Sequence, residues 1–286
     1  MNKKLNISLT SAFVVVTLTA IAQGVNPNSD SGLSDGYKLV WADEFNNKGV
    51  PDPKNWEFEK GFVRNNELQW YQEDNAFCDS GLLIIEARKE TFPNPRYSEV
   101  RPDWRSGRKN VEYTSSSINT RSLHNWKYGR FIMRGRIDIS PGMWPAFWTL
   151  GISRPWPSNG EIDIMEYYKG NILANIACGT QVKNKAKWYS KTKAVKDFQD
   201  PSWSSKFHIW RMDWDQNSIS LFVDDELLNK VTLDDLVNDD GSGFNPFKQP
   251  HYILLNLAIG GDNGGDPSGA IFPRRFEVDY VRVYQK

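Results

Sequence analysis

Between residues 37 and 286 the chain is written in short alternating runs closed by turn residues, and this pattern constrains the fold more than any other feature. GLLIIEA (81–87), GRFIMRGRIDI (129–139), SISLFV (218–223), HYILLNLA (251–258) and FEVDYVRVY (276–284) are each of strand length. Asp79-Ser80-Gly81, Pro141-Gly142, Asn159-Gly160 and Asp224-Asp225 supply the turns. No long window carries a helical period. The one helical candidate is TLDDLV (232–237), a single turn opening on a Thr cap. Many short strands without intervening helices predict an all-β fold, an antiparallel sandwich or barrel. Two sheets in a chain this long give broad curved faces, and a concave one can hold an extended ligand. No Pro/Gly/Ser linker interrupts residues 37–286, which read as one domain.

Residues 1–22 predict a secretory signal peptide. Lys3 and Lys4 open it, AFVVV (12–16) is its apolar run, and Ala20-Ile21-Ala22 is a small-x-small cleavage pattern. The run is too short for a membrane span. Residues 23–36, rich in Asn, Ser, Asp and Gly, read as a flexible linker. The mature protein is therefore expected in the periplasm or outside the cell. Losing two lysines takes the basic count from 35 to 33 against 35 acidic residues. That balance argues against a nucleic-acid partner. Two cysteines, Cys78 and Cys178, exclude a disulfide scaffold and a CxxC metal site, and nothing in their spacing pairs them. Twelve Trp, 11 Tyr and 15 Phe either fill a sheet core or line a surface that stacks on flat ligands.

The stretch NGEIDIMEY (159–167) carries the chemistry. Asn-Gly marks a turn, so Glu161 begins a strand. Alternation puts Glu161 and Asp163 on one face with Ile162 and Ile164 opposite. Strict alternation would then bury Glu166, at high cost for an unpaired carboxylate. A one-residue bulge near Ile164-Met165 returns Glu166 to the acidic face. Three carboxylates in a row suit glycoside hydrolysis with retention, in which a nucleophile and an acid/base flank the sugar roughly 5–5.5 Å apart. On spacing alone, a solvated acidic edge or a calcium site remains open. GMWPAFW (142–148) and Trp156-Pro157 place indoles beside the acids, which favours a carbohydrate cleft. Alternation is expected to send Phe147 and one of Trp144 and Trp148 to the core.

The chain resembles glycoside hydrolase family 16, the group of laminarinases, lichenases, agarases and carrageenases. WADEFN (41–46), NNELQWY (65–71), GMWPAFW, GEIDIME (160–166), FHIWRMDW (207–214), LLNLAIGG (254–261) and VDYVRVYQ (278–285) carry the likeness across nearly the whole mature chain. It implies a β-jelly-roll sandwich of two antiparallel sheets with a concave substrate cleft. It implies Glu161 as nucleophile, Glu166 as general acid/base and Asp163 as the assisting carboxylate. The form with the extra Met165 resembles the laminarinase and agarase branches. Trp144 and Trp148 match sugar-binding walls, and Arg64, Asn66 and Glu67 match a region contacting negative-subsite sugars. His208 and Asn256 match positions facing the cleft. No cofactor is implied for catalysis. A structural calcium is implied, with oxygens from Glu44, the Gly81 carbonyl and Asp279; pairing of Glu44 with Arg282 is the competing expectation.

Two segments depart from the family pattern: residues 90–111, long and rich in Pro and Arg, and residues 175–189, basic and carrying Trp188, which could stack on a sugar. The expected activity is that of an endo-acting, retaining β-glycosidase, acting as a monomer on β-1,3- or mixed β-1,3/1,4-glucan. A galactan or poly-N-acetyllactosamine O-glycan is the alternative substrate, since basic loops suit sulfated or sialylated polymers. A lectin-like, non-catalytic protein is the second alternative.

Overall fold

The structure, a computed structural model, describes residues 35–100 and 102–286. The signal peptide and all but the last two residues of the linker lie outside the described residues. Residues 37–286 form one compact unit. Its strands run β1 (Lys38–Asp43), β2 (Glu57–Phe58), β3 (Gln69–Tyr71), β4 (Ala76–Asp79), β5 (Leu82–Pro93), β6 (Asn110–Ser115), β7 (Ser117–Asn119), β8 (Gly129–Arg136) and β9 (Met143–Gly151). There follow β10 (Glu161–Tyr168), β11 (Asn171–Gly179), β12 (Ala186–Ala194), β13 (His208–Trp214), β14 (Ser218–Val223), β15 (Glu226–Thr232), β16 (His251–Ile259) and β17 (Arg274–Gln285).

Ten strands make one sheet, ordered β15-β14-β13-β8-β17-β5-β6-β3, with β1 on β17 and β4 on β5. Seven make the other, ordered β12-β11-β10-β9-β16-β7-β2. The pairings are antiparallel as expected, apart from β3 with β6, which is parallel. β3 and β6 lie far apart in sequence, so a long connection separates them and the antiparallel hairpin rule does not apply.

Each sheet turns one face inward. β8 and β13 alternate strictly between buried and half-buried residues, and Phe131, Met133, Trp210, Met212 and Trp214 go to the core. From the smaller sheet, Phe147, Ile162, Ile164, Ile176, Ile253, Leu255 and Leu257 meet them in one continuous cluster. This is sandwich packing, with the apolar half of each alternation between the sheets. The polar half of the smaller sheet is left on its outer face, where the acids sit.

TLDDLV forms a short 3-10 turn, Leu233–Leu236, as the pattern suggested. The expected cap is not made. Thr232 Oγ1 bonds the Asp235 carboxylate and leaves the backbone N–H groups of the turn alone. Cys78 and Cys178 are buried and free, one in each sheet. Burial pushes the Cys78 thiol up to about 12 and the Cys178 thiol up to about 11, so both stay protonated and unreactive. A thiol reductant should leave the melting temperature unchanged; a fall of several degrees would mean that a bridge forms.

Candidate active site

Gly160 opens β10 at φ 78°, and a Cβ there would stand 2.7 Å from Cβ of Pro246. Only glycine fits both the backbone and the space, so the Asn-Gly turn delivers Glu161 to the first position of the strand. The bulge expected at Ile164-Met165 is present. Asp163 faces Asn175 of β11 and Trp148 of β9, whereas Glu166 faces Leu173 and Ala146. Three steps along β10 thus answer two on either neighbour. Ile164 and Met165 both lie in the core, which returns Glu166 to the face of Glu161 and Asp163.

The neighbours of this row come from β9, β11 and β12 and from the loops that follow β2 and β9. Trp144 Nε1 donates to Glu166 Oε1 at 2.7 Å and Asn175 Nδ2 to Glu166 Oε2 at 2.9 Å. Trp156 Nε1 donates to Glu161 Oε2. Glu161, Glu166, Trp144, Trp148, Trp156, Trp188, Arg64 and Glu59 line an open pocket of about 460 Å³. Trp144 and Trp148 both lie on the acid face, against the expectation that one would enter the core. They stand four residues apart, so a period of two cannot separate them; Phe147 alone of the three turns inward. Trp188 and Trp156 keep 46% and 40% exposure, enough to present ring faces to a ligand.

Burial raises all three carboxyls, by different amounts. Asp163 is raised well above the usual carboxylate range, first by burial and then by the charges of Glu161 and Glu166 on either side. Burial raises Glu166 to about 7, with Glu161 adding and Trp144 and Asn175 opposing. Burial also raises Glu161, but the Trp156 indole, the Asp163 carboxyl and the Arg64 guanidinium favour its charge. Burial thus favours the neutral form along the whole row, while the partners of Glu161 favour its charge.

A carboxyl with a folded value near 7 and an unfolded value of 4.5 binds its proton more tightly in the native state. Below the lower value Glu166 costs the fold nothing; stability falls as pH rises toward the upper value. Glu166→Gln should therefore stabilise the protein by on the order of 2 kcal/mol at pH 8 and by little at pH 4. Equal melting temperatures for variant and parent at pH 8 would contradict the raised value.

The other expected site residues separate into groups. Arg64 reaches the pocket, pairs with Glu59 and lies over the Trp148 ring, 5.1 Å from its centroid. Burial works against its charge, but Glu59 and Glu67 hold it protonated. Glu67 is only 2% exposed and does not face the pocket. It accepts from Gln69 at 2.6 Å and from the Tyr71 hydroxyl at 3.2 Å, and burial raises it. Asn256 is also buried. It accepts from Trp148 Nε1 at 2.8 Å and donates to the Tyr71 hydroxyl at 3.1 Å. Glu67 and Asn256 thus anchor the Trp148 indole from below. Asn66 bonds Asp262 at the surface, and its neighbour Asn65 lines the pocket instead.

His208 is not brought to the acids. β13 belongs to the ten-stranded sheet, and the ring is clamped between Asp224 and the Trp203 carbonyl. Two of the three groups expected to give oxygens to a calcium are engaged by arginines. Glu44 takes Nε and Nη2 of Arg282 at 2.7 and 2.9 Å, and Asp279 takes Arg134 at 2.6 Å. Gly81 serves the turn between β4 and β5 at φ 77°. Carboxylates already neutralised by guanidiniums do not fit a calcium shell. Among the described residues no cluster of three or more His, Cys, Asp or Glu could hold a metal.

Glu59, Tyr71 and Asn175 were not among the expected site residues, whereas the Trp156 indole lies beside the acids as expected. Trp156 stands five positions before Glu161, a signal readable in the sequence. Asn175 reaches Glu166 only through strand register, which the sequence does not display.

A sandwich with a row of carboxylates and indoles on one outer face is the architecture of a polysaccharide-cleaving hydrolase. Residues 64–282 match the profile of glycosyl hydrolases family 16, and the chain belongs to that family. It is a glycoside hydrolase. The chain is 34% identical to a β-glucanase of Rhodothermus marinus over 290 residues, covering 96% of this chain and 94% of the relative. A solved structure from work on endo-acting O-glycanases of the human gut microbiota, which initiate mucin breakdown, superposes with a TM-score of 0.79 at 34% identity. That match covers 88% of this chain and 92% of the other. The laminarinase catalytic domain of Thermotoga maritima gives 0.72 at 30% identity, covering 87% and 98%.

Proposed function

We propose that the protein is an exported, endo-acting β-glycosidase that cleaves β-1,3- or mixed β-1,3/1,4-glucan with retention. The observation that carries the chemistry is the bulge, which sets Glu161 and Glu166 on one face, where burial raises both and brings Glu166 to about 7. The charged Glu161 carboxylate attacks the anomeric carbon and forms a glycosyl ester. Glu166 gives its proton to the departing glycosidic oxygen as that bond breaks. Esterification removes the Glu161 charge that helps to raise Glu166, so Glu166 then ionises more readily. In that state it takes a proton from the water that attacks the ester. Asp163, protonated, donates to Glu161 and steadies it as the ester breaks. The indoles of Trp148, Trp156 and Trp188 stack on sugar faces.

The glucan assignment is supported by the β-glucanase and laminarinase relatives. The O-glycanase match, with a TM-score of 0.79 against 0.72, favours a second reading in which the polymer is a β-galactoside of an O-glycan. The test is a product profile on laminarin, mixed-linkage glucan, agarose and mucin, with an early NMR spectrum of the products. Oligosaccharides from the first two, released as the β-anomer, are expected. Release from mucin alone would move the substrate to the second reading, an α-anomer first would end the retaining mechanism, and binding without products would make the protein a lectin. Export rests on residues 1–22, and N-terminal sequencing of the mature protein tests it. A monomer is the expected solution state, checked by light scattering.

A further inference from the structure

The arginine-rich segment 90–111 has no part in the chemistry above, yet it reaches the rim of the pocket. Val63, Arg64 and Asn65 of that rim line the pocket. The rim is a short irregular stretch with Asn65 and Asn66 in consecutive left-handed conformations, at φ 52° and 51°. Such a stretch has no ladder to satisfy its carbonyls, so their partners must come from elsewhere. Two arginines supply four of them. Arg105 donates from Nε to the Phe62 carbonyl at 3.1 Å and from Nη2 to the Val63 carbonyl at 2.7 Å. Arg108 donates from Nη2 to the Asn66 carbonyl at 2.8 Å and from Nη1 to the Glu67 carbonyl at 2.6 Å. The remaining two carbonyls are taken by backbone: Arg64 by the Glu67 N–H and Asn65 by the Asp262 N–H.

Both guanidiniums also lie over the Trp104 ring, Arg105 at 4.4 Å and Arg108 at 5.2 Å from its centroid, and Arg108 covers Phe62 at 4.6 Å. The loop aims them from one buried side chain. Asn94 Nδ2 donates to the carbonyls of both Arg105 and Arg108, at 2.8 and 2.7 Å. A planar fork that bridges two carbonyls cannot be copied by an ammonium, which is a single point of charge.

We propose that Arg105 and Arg108 are positioning residues that set substrate affinity, holding the 62–67 rim so that Arg64 and Asn65 meet the sugar chain. This rests on the glycosidase reading for its kinetic consequence. The acids stand on β10 and bond neither Arg105 nor Arg108; they feel the rim only through the charges of Arg64 and Glu67, so affinity should suffer far more than chemistry.

The test compares the parent with R105A/R108A and R105K/R108K by kinetics on laminarin-derived and mixed-linkage oligosaccharides and by amide exchange. In the alanine pair KM should rise about tenfold with kcat within about threefold, and the alkaline limb near pH 7 should stay in place. Exchange at the Glu67 and Leu68 amides should quicken by about tenfold or more. The lysine pair should fall between, and it carries the test if the alanine pair does not fold. Unchanged KM and unchanged exchange would overturn the proposal. A parent protein inactive on every glucan would instead defeat the substrate reading, and unchanged exchange at Glu67 and Leu68 would still overturn the clasp by itself.

Discussion

Glu161→Gln should lower kcat by about 10⁴-fold or more while leaving oligosaccharide affinity within a few-fold of the parent. The amide keeps the size of the carboxylate and can still accept from the Trp156 indole, so the pocket wall is preserved. What it loses is the anionic oxygen that attacks to form the ester, an interaction realised only as the transition state is reached. Glu166 should respond as well. Burial is the larger cause of its raised value, but Glu161 contributes, so its apparent value should fall from about 7 in the variant. Calorimetry with an oligosaccharide and a single-turnover assay would read the two halves separately. Full turnover in the variant would remove Glu161 from the role of nucleophile. Lost affinity equal to the lost rate would make it a binding group instead.

The second large effect concerns the bulge. Inserting an alanine after Met165 should reduce activity per folded molecule by about 10³-fold or more, because a one-residue slip inverts every later side chain. Glu166 would then face the core, away from Trp144 and Asn175, which now hold it. Its carboxyl would be buried among Ile172, Ile176 and their neighbours, so stability should fall too. Deleting Met165 is the opposite case. A regular strand results, with Glu161, Asp163 and Glu166 still on one face, and measurable activity should survive. The deletion sacrifices a fully buried side chain, and with it on the order of 2–5 kcal/mol of stability. Met165→Leu keeps the residue count and nearly the volume, and should cost less than about 1.5 kcal/mol. An active insertion beside a dead but folded deletion would end the argument that the bulge aims Glu166.

The sheet class, the strand positions and the acid row were legible in the sequence for one reason. Alternation is a local property, and a buried carboxylate at Glu166 was costly enough to betray the bulge before any pairing was known. Reading failed where the face of a residue depends on which sheet its strand joins. His208 alternates as regularly as Asn256, yet β13 entered the ten-stranded sheet and β16 the sheet with the acids. Glu67 looked like a sugar contact, but the closure of the rim over Gln69 and Tyr71 turned it into a buried support for Trp148. Glu44 and Asp279 offered the right atoms for a cation, and two arginines from neighbouring strands reached them first. The sequence alone thus determined the periodicity, the turns and the chemistry of the acidic strand, all settled between residues a few positions apart. Only the tertiary structure decided which polar groups meet a ligand and which meet each other, because register, sheet membership and loop closure join residues distant along the chain.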